Sequence, residues 1–78
     1  MTFIKGGTMT PFQLRVVEEK KNLDDKISKL TVFIAGETYA SLDDQEQGRL
    51  SSQLEYMKNY SEILGQRIAV FRKDEHAA

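Results

Sequence analysis

The chain has no cysteine and a single histidine, His76, close to its C-terminal end. The first absence excludes disulfides and thiolate metal sites. The second leaves zinc or iron with only carboxylates to bind, and no His/Glu cluster is present to begin such a site. No metal and no other cofactor is expected. A cysteine-free chain also fits a reducing cytoplasm. Long apolar runs are lacking: nothing approaches the length of a membrane span. The opening stretch MTFIKGGTMT holds no apolar segment of the signal-peptide kind. The expected compartment is the cytosol, with no membrane partner. Nor does one charge dominate, since 11 basic residues face 12 acidic ones. Duplex nucleic-acid binders carry a basic surplus instead, so no duplex partner is expected. A small anion held by a few local cations stays compatible with the balance.

Catalytic sets are missing too. There is no Ser-His-Asp arrangement and no cysteine nucleophile. Lys5-Gly6-Gly7-Thr8 is glycine-rich, but it lacks the frame and preceding strand of a phosphate loop and reads as a hinge. Asp24-Asp25 and Asp43-Asp44 are paired carboxylates. Neighbours on a helix do not face each other, so solvated surface and helix capping account for them. The chain is expected to bind rather than to catalyse.

What is present is helical pattern. Thr10-Pro11 opens a first helix: threonine caps free amides, and proline fits the first helical position because its missing N–H has no partner there anyway. Apolar residues recur at Phe12, Val16, Leu23, Ile27, Leu30 and Ile34, which is helical spacing. Ala35-Gly36 ends the segment, with glycine suited to a left-handed cap. Residues 37–42 form a short connection, one helical turn with Tyr39 and Leu42 as plugs. Asp43 caps the second helix, with acids at its positive dipole end. That helix is expected to reach Arg72 or Lys73. The fold class is all-α: a long two-helix hairpin whose helical domain spans 10–74, preceded by an arm at 1–9 and succeeded by a frayed tail at 75–78. Phe3 and Ile4 suggest that the arm docks on a neighbour.

The second helix carries two apolar stripes. Leu50, Leu54, Met57, Leu64, Ile68 and Phe71 form one, with Ser61 at its small position; Tyr56, Tyr60, Ile63 and Val70 form another beside it. Together they cover roughly 200° of the circumference, where a helix facing one core needs about 100°. One hairpin partner covers only the first stripe. The second must meet another chain or stand as a patch that monomers seldom tolerate. A helix of this size also spans about 45 Å, whereas a compact domain of 78 residues has a radius of gyration near 12 Å. A homo-oligomer is expected, the alternative being a solitary hairpin with exposed tyrosines.

Two cations stand out. Arg67 falls inside the second stripe, between Ile63 and Val70. A guanidinium where water is scarce needs a partner: Glu62 or Glu55 of another chain, or a bound anion, whose phosphate oxygens suit the arginine fork. Lys26 lies at the edge of the first helix's apolar stripe, with Ser28 close by. It either lays its stem on the core with its head in water or joins an aromatic in holding a nucleotide by stacking plus a phosphate contact.

The segments FQLRVVEEKKNLDDKISKLTVFI and YASLDDQEQGRLSSQLEYMKNYSEILGQRI carry a family resemblance over residues 12–68. The polar positions Arg15, Glu18, Lys26, Gln53, Tyr60 and Arg67 make it more than a hydrophobic pattern. The chain resembles the small phage-encoded anti-CBASS sponges, CBASS being a bacterial defence that signals infection with cyclic oligonucleotides. The resemblance implies a compact helical hexamer that sequesters cyclic dinucleotides and cyclic trinucleotides without cleaving them. It places Phe12 and Lys26 in a dinucleotide pocket, and Ser28 and Arg67 in a trinucleotide pocket. A phage or prophage helical oligomer that binds and inhibits a host protein is the competing possibility.

Overall fold

The computed structural model describes the backbone of residues 9–77 and the side chains of residues 9–71. The arm at 1–9, with its Gly6-Gly7 joint and the docking expected of Phe3 and Ile4, lies outside the described residues except for Met9. Three helices occur in order: α1 (Pro11–Ile34), α2 (Glu37–Ala40) and α3 (Asp44–Ala77). There is no strand among the described residues.

Local chemistry sets most of the boundaries. At the start of α1, the Gln13 amide donates to Thr10 Oγ1 at 3.2 Å and the Thr10 amide donates to Gln13 Oε1 at 3.0 Å. This reciprocal capping box satisfies two amides that have no helical partner. Asp43 caps α3 by accepting from the Glu46 amide at 2.8 Å. The corner before α3 is tied by two side chains. The Tyr39 hydroxyl donates to the Gln47 carbonyl at 3.1 Å, and Gln47 Nε2 donates back to the Tyr39 carbonyl at 2.9 Å and the Leu42 carbonyl at 3.2 Å.

Two boundaries differ from the sequence expectation. Gly36 takes no left-handed conformation: at φ −99° and ψ 179° it is extended and serves as the N-cap of α2. The chain enters α2 directly, and the end of α1 is closed by a bond from the Gly36 amide to the Phe33 carbonyl at 3.1 Å. The second difference is at the far end, where α3 continues to Ala77 rather than stopping at Arg72 or Lys73. No glycine or proline occurs after Gly65, and Lys, Glu and Ala all favour helix.

α1 and α3 pack antiparallel, with Phe12 against Phe71 at one end. The length of α3, about 51 Å at 1.5 Å per residue, sets a body of 53 × 21 × 16 Å. Its radius of gyration is 17.4 Å, well above the value near 12 Å of a compact domain. Val16, Leu64 and Phe71 are buried, with Leu23 and Ile68 packed on them. Leu50, Leu54 and Met57 are half-buried, so the first stripe of α3 faces α1. The second stripe does not: Tyr56 is 72% exposed, and Ile63 and Val70 are each 50% exposed. Phe12, expected in the α1 stripe, also stands 52% exposed, because it sits in the first turn of α1 at the rim of the packed region.

A polar clasp crosses the middle of the hairpin. Lys20 Nζ donates to Asp24 Oδ2 and to Ser61 Oγ, both at 2.8 Å, and the Ser61 hydroxyl donates to the Asp24 carboxylate. Gly65 makes room for it, since a Cβ there would lie 3.3 Å from Lys20 Cε. Asp24 is therefore not free surface, as its sequence position suggested. Its neighbour Asp25 pairs with Lys29 at 3.2 Å.

The clasp holds the Asp24 carboxyl below its ordinary value, chiefly through the Lys20 hydrogen bond and then that of Ser61. A group whose folded pKa is depressed adds stability above its unfolded value, near 4, and loses it as pH falls through the folded value. Asp24→Asn should lower the melting temperature at neutral pH, and thermal melts of the two proteins should converge as pH drops below about 4. Gly36→Ala should change stability by less than about 1 kcal/mol in chemical denaturation, because the gain from a stiffer unfolded chain is opposed by the weakness of alanine as an N-cap. The backbone there is extended, and the nearest atom to an added Cβ is the Phe33 carbonyl oxygen at 3.4 Å.

Candidate ligand-binding surface

The end of the hairpin where α1 begins brings Phe12, Arg67 and Phe71 together. The Phe12 and Phe71 rings meet edge-on, with centroids 6.3 Å apart and planes at 63°. The Arg67 guanidinium carbon lies 5.7 Å from the centroid of Phe12, over its ring. A cation over an aromatic face gains electrostatically from the ring's negative face. Phe71 is buried while Phe12 and Arg67 are exposed, so this stack presents an aromatic edge and a positive charge to the outside. Half-exposed Ile63 and Val70 lie on the same stripe of α3 as Arg67. No carboxylate pairs with Arg67 among the described residues. Glu55 and Glu62 of the same chain are exposed elsewhere on α3 and form no ion pair with it.

A groove runs between α1 and α3 further along. Arg15, Glu18, Glu19, Asn22 and Lys26 line it from α1, and Tyr60 from α3. Lys26 is exposed and, like Arg67, has no carboxylate partner among the described residues. The Tyr60 hydroxyl donates to the Glu19 carboxylate. That bond pushes the Tyr60 hydroxyl above its ordinary pKa, with burial and the Glu19 charge adding to it and Arg67 opposing. Tyr60 therefore stays a protonated donor through neutral pH. On its other side Tyr60 borders a second groove, along the outer face of α3, with Gly48, Ser52 and Tyr56.

The four residues singled out in sequence do not gather in one place. Phe12 and Arg67 are in contact. Lys26 and Ser28 are near neighbours on α1, both exposed. Phe12 and Lys26 are separated by about 21 Å of helix, and Ser28 lies about 24 Å from the level of Phe12 and Arg67. Neither the Phe12/Lys26 pair nor the Ser28/Arg67 pair meets within a single copy.

The pairing of Tyr60 with Glu19 and the clasp at Ser61 are not visible in the sequence. Both join residues some 40 positions apart, so spacing along one helix cannot show them. The available signal is Ser61 itself, a hydroxyl at a buried position of an apolar stripe that requires a polar partner. Among the described residues no cluster of metal-ligating side chains occurs, and no helix is long and apolar enough to cross a membrane.

Comparison with known proteins gives two matches. The model of the Sequestin family matches residues 10–70. A protein of Enterobacteria phage T4, described as an uncharacterised 7.5 kDa protein of the denB–rIIB intergenic region, is 39% identical over 64 residues. That alignment covers 82% of this chain and 100% of the phage T4 protein. No solved structure matches the chain.

Proposed function

The chain belongs to the Sequestin family of phage anti-CBASS cyclic-oligonucleotide sponges, and we propose that it sequesters cyclic dinucleotides and cyclic trinucleotides intact, in pockets shared between copies of a homo-oligomer. The observation that supports this most is Arg67. It stands on an apolar stripe, over the Phe12 ring, with no carboxylate to neutralise it among the described residues. If that stripe is covered by further copies, the guanidinium is drawn out of water and needs an anion.

Symmetry supplies one. A cyclic trinucleotide has approximate threefold symmetry and a cyclic dinucleotide approximate twofold symmetry. A closed oligomer with twofold and threefold axes offers pockets of both kinds, and a hexamer is the smallest assembly with both. Three Arg67 side chains around a threefold axis repel one another until three phosphates lie between them, with Ser28 of a neighbouring copy adding a hydroxyl. Phe12 of one copy and Lys26 of another form the dinucleotide pocket, the ring stacking on a base and the ammonium meeting a phosphate. The separations along α1 agree with such sharing, because neither pair closes within one chain.

No bond is broken. Sequestration works by mass action: free messenger falls when the protein is abundant and binds below the signalling concentration. Nanomolar binding corresponds to about 12 kcal/mol. Charged hydrogen bonds at about 1.5–3 kcal/mol each, added to base stacking, reach that range. In the infected cell the result is a CBASS effector deprived of its activator, and the site of action is the bacterial cytosol.

Titration calorimetry with a panel of cyclic di- and trinucleotides tests this, with the ligand recovered and analysed afterwards. Saturable binding with unaltered ligand is expected. Arg67→Ala removes all three guanidinium contacts at once and should weaken trinucleotide binding by about a thousandfold or more, the equivalent of three charged hydrogen bonds, with the assembly retained. Lys26→Ala should weaken dinucleotide binding and leave trinucleotide binding intact. A panel on which nothing binds contradicts the proposal and leaves the inhibition of a host protein as the alternative. Dissociation of the assembly by Arg67→Ala would instead make Arg67 a structural ion pair.

A further inference from the structure

Arg15 and Lys26 line the α1/α3 groove together with Glu18 and Glu19, yet none of these charges pair with each other. Arg15 and Glu19 are four residues apart on α1, the spacing at which opposite charges on a helix normally meet. No such ion pair forms among the described residues. The Glu19 carboxylate is held instead by the Tyr60 hydroxyl across the groove. Arg15 is left exposed, without an ion-pair partner among the described residues, in the same groove as Lys26.

We infer that Arg15 is a second anion contact of this groove, and that Tyr60 is a positioning residue that keeps Arg15 available by holding Glu19 away from it. Arg15 and Lys26 are about 16 Å apart along the helix axis. Two long side chains reaching toward each other bridge part of that span. A ligand carrying two separated phosphodiester groups fits between them, whereas a single phosphate does not reach both. Asn22 lies between the two cations in the groove, and its amide can pair with the edge of a base. The chemistry is that of a cyclic dinucleotide, so the inference deepens the sponge reading and rests on it. The raised pKa of Tyr60 agrees with a hydroxyl that keeps its proton while bound to the carboxylate.

The test is calorimetric titration of the full chain with cyclic di-AMP and cyclic GMP–AMP. Arg15→Ala should weaken binding about tenfold, the equivalent of one charge-assisted hydrogen bond, with the melting temperature unchanged because Arg15 is exposed. Tyr60→Phe should also weaken it, by freeing Glu19 to pair with Arg15. Glu19→Gln in the Tyr60→Phe background should then restore binding, since the competing carboxylate is gone. If the Tyr60–Glu19 bond only braces the hairpin, the double variant binds no better than Tyr60→Phe alone, and the inference is overturned while the sponge reading stands. Unchanged binding in Arg15→Ala overturns it in the same way. A wild-type chain that binds neither ligand overturns both.

Discussion

Leu64 is completely buried, yet Ile63 beside it in sequence is 50% exposed, and Val70 is equally exposed next to buried Phe71. α3 is apolar over more of its circumference than α1 can cover, and at about 51 Å it is too long to wrap within a domain of this size. A core of Val16, Leu64 and Phe71 is small for so many ordered residues, and small domains commonly obtain the missing burial from other copies of themselves. The same open stripe carries Arg67. The uncovered apolar stripe and the proposed anion contact therefore coincide, and this links the fold to the proposed sponge.

The polar residues between the helices divide into two groups by what they leave unsatisfied. Lys20, Asp24 and Ser61 satisfy one another, and they fix the register of α1 on α3 where Gly65 lets the Lys20 stem pass. Arg15, Lys26 and Arg67 are left without carboxylates among the described residues. With acidic and basic residues nearly equal in number, cations without partners are not dictated by composition. The fold produces them by directing Glu19 to Tyr60 and Asp24 to Lys20. A chain with almost no net charge can in this way present local positive sites to a phosphate ligand without the nonspecific attraction that a basic surface exerts on nucleic acid.

The features legible in the sequence are local or periodic. Thr10 with Pro11, and Asp43 ahead of its acidic turn, mark helix starts because capping involves residues within one turn. The two stripes of α3 emerge from angular spacing alone, and the first stripe packs as that spacing implies. Gly36 departs from the expected left-handed cap because its role is set by the element after it: with α2 starting at Glu37, the chain needs an extended cap and no reversal. The end of α3 lies beyond the expected one because the apolar pattern stops at Phe71, although nothing in the sequence stops the helix. For the site, the exposure of Lys26 and Arg67 is consistent with their positions on the helical faces. The contact of Phe12 with Arg67, the clasp and the Tyr60–Glu19 bond are not legible there, since each depends on the register between two helices that only packing decides.

Sedimentation velocity at micromolar concentration decides whether further copies of the chain cover the open stripe of α3. A discrete particle several times the 8.9 kDa mass of one chain is expected, with no substantial monomer. A single species of 8.9 kDa would contradict it, because the exposed stripe would then be stable in water and the shared pockets would have no second wall.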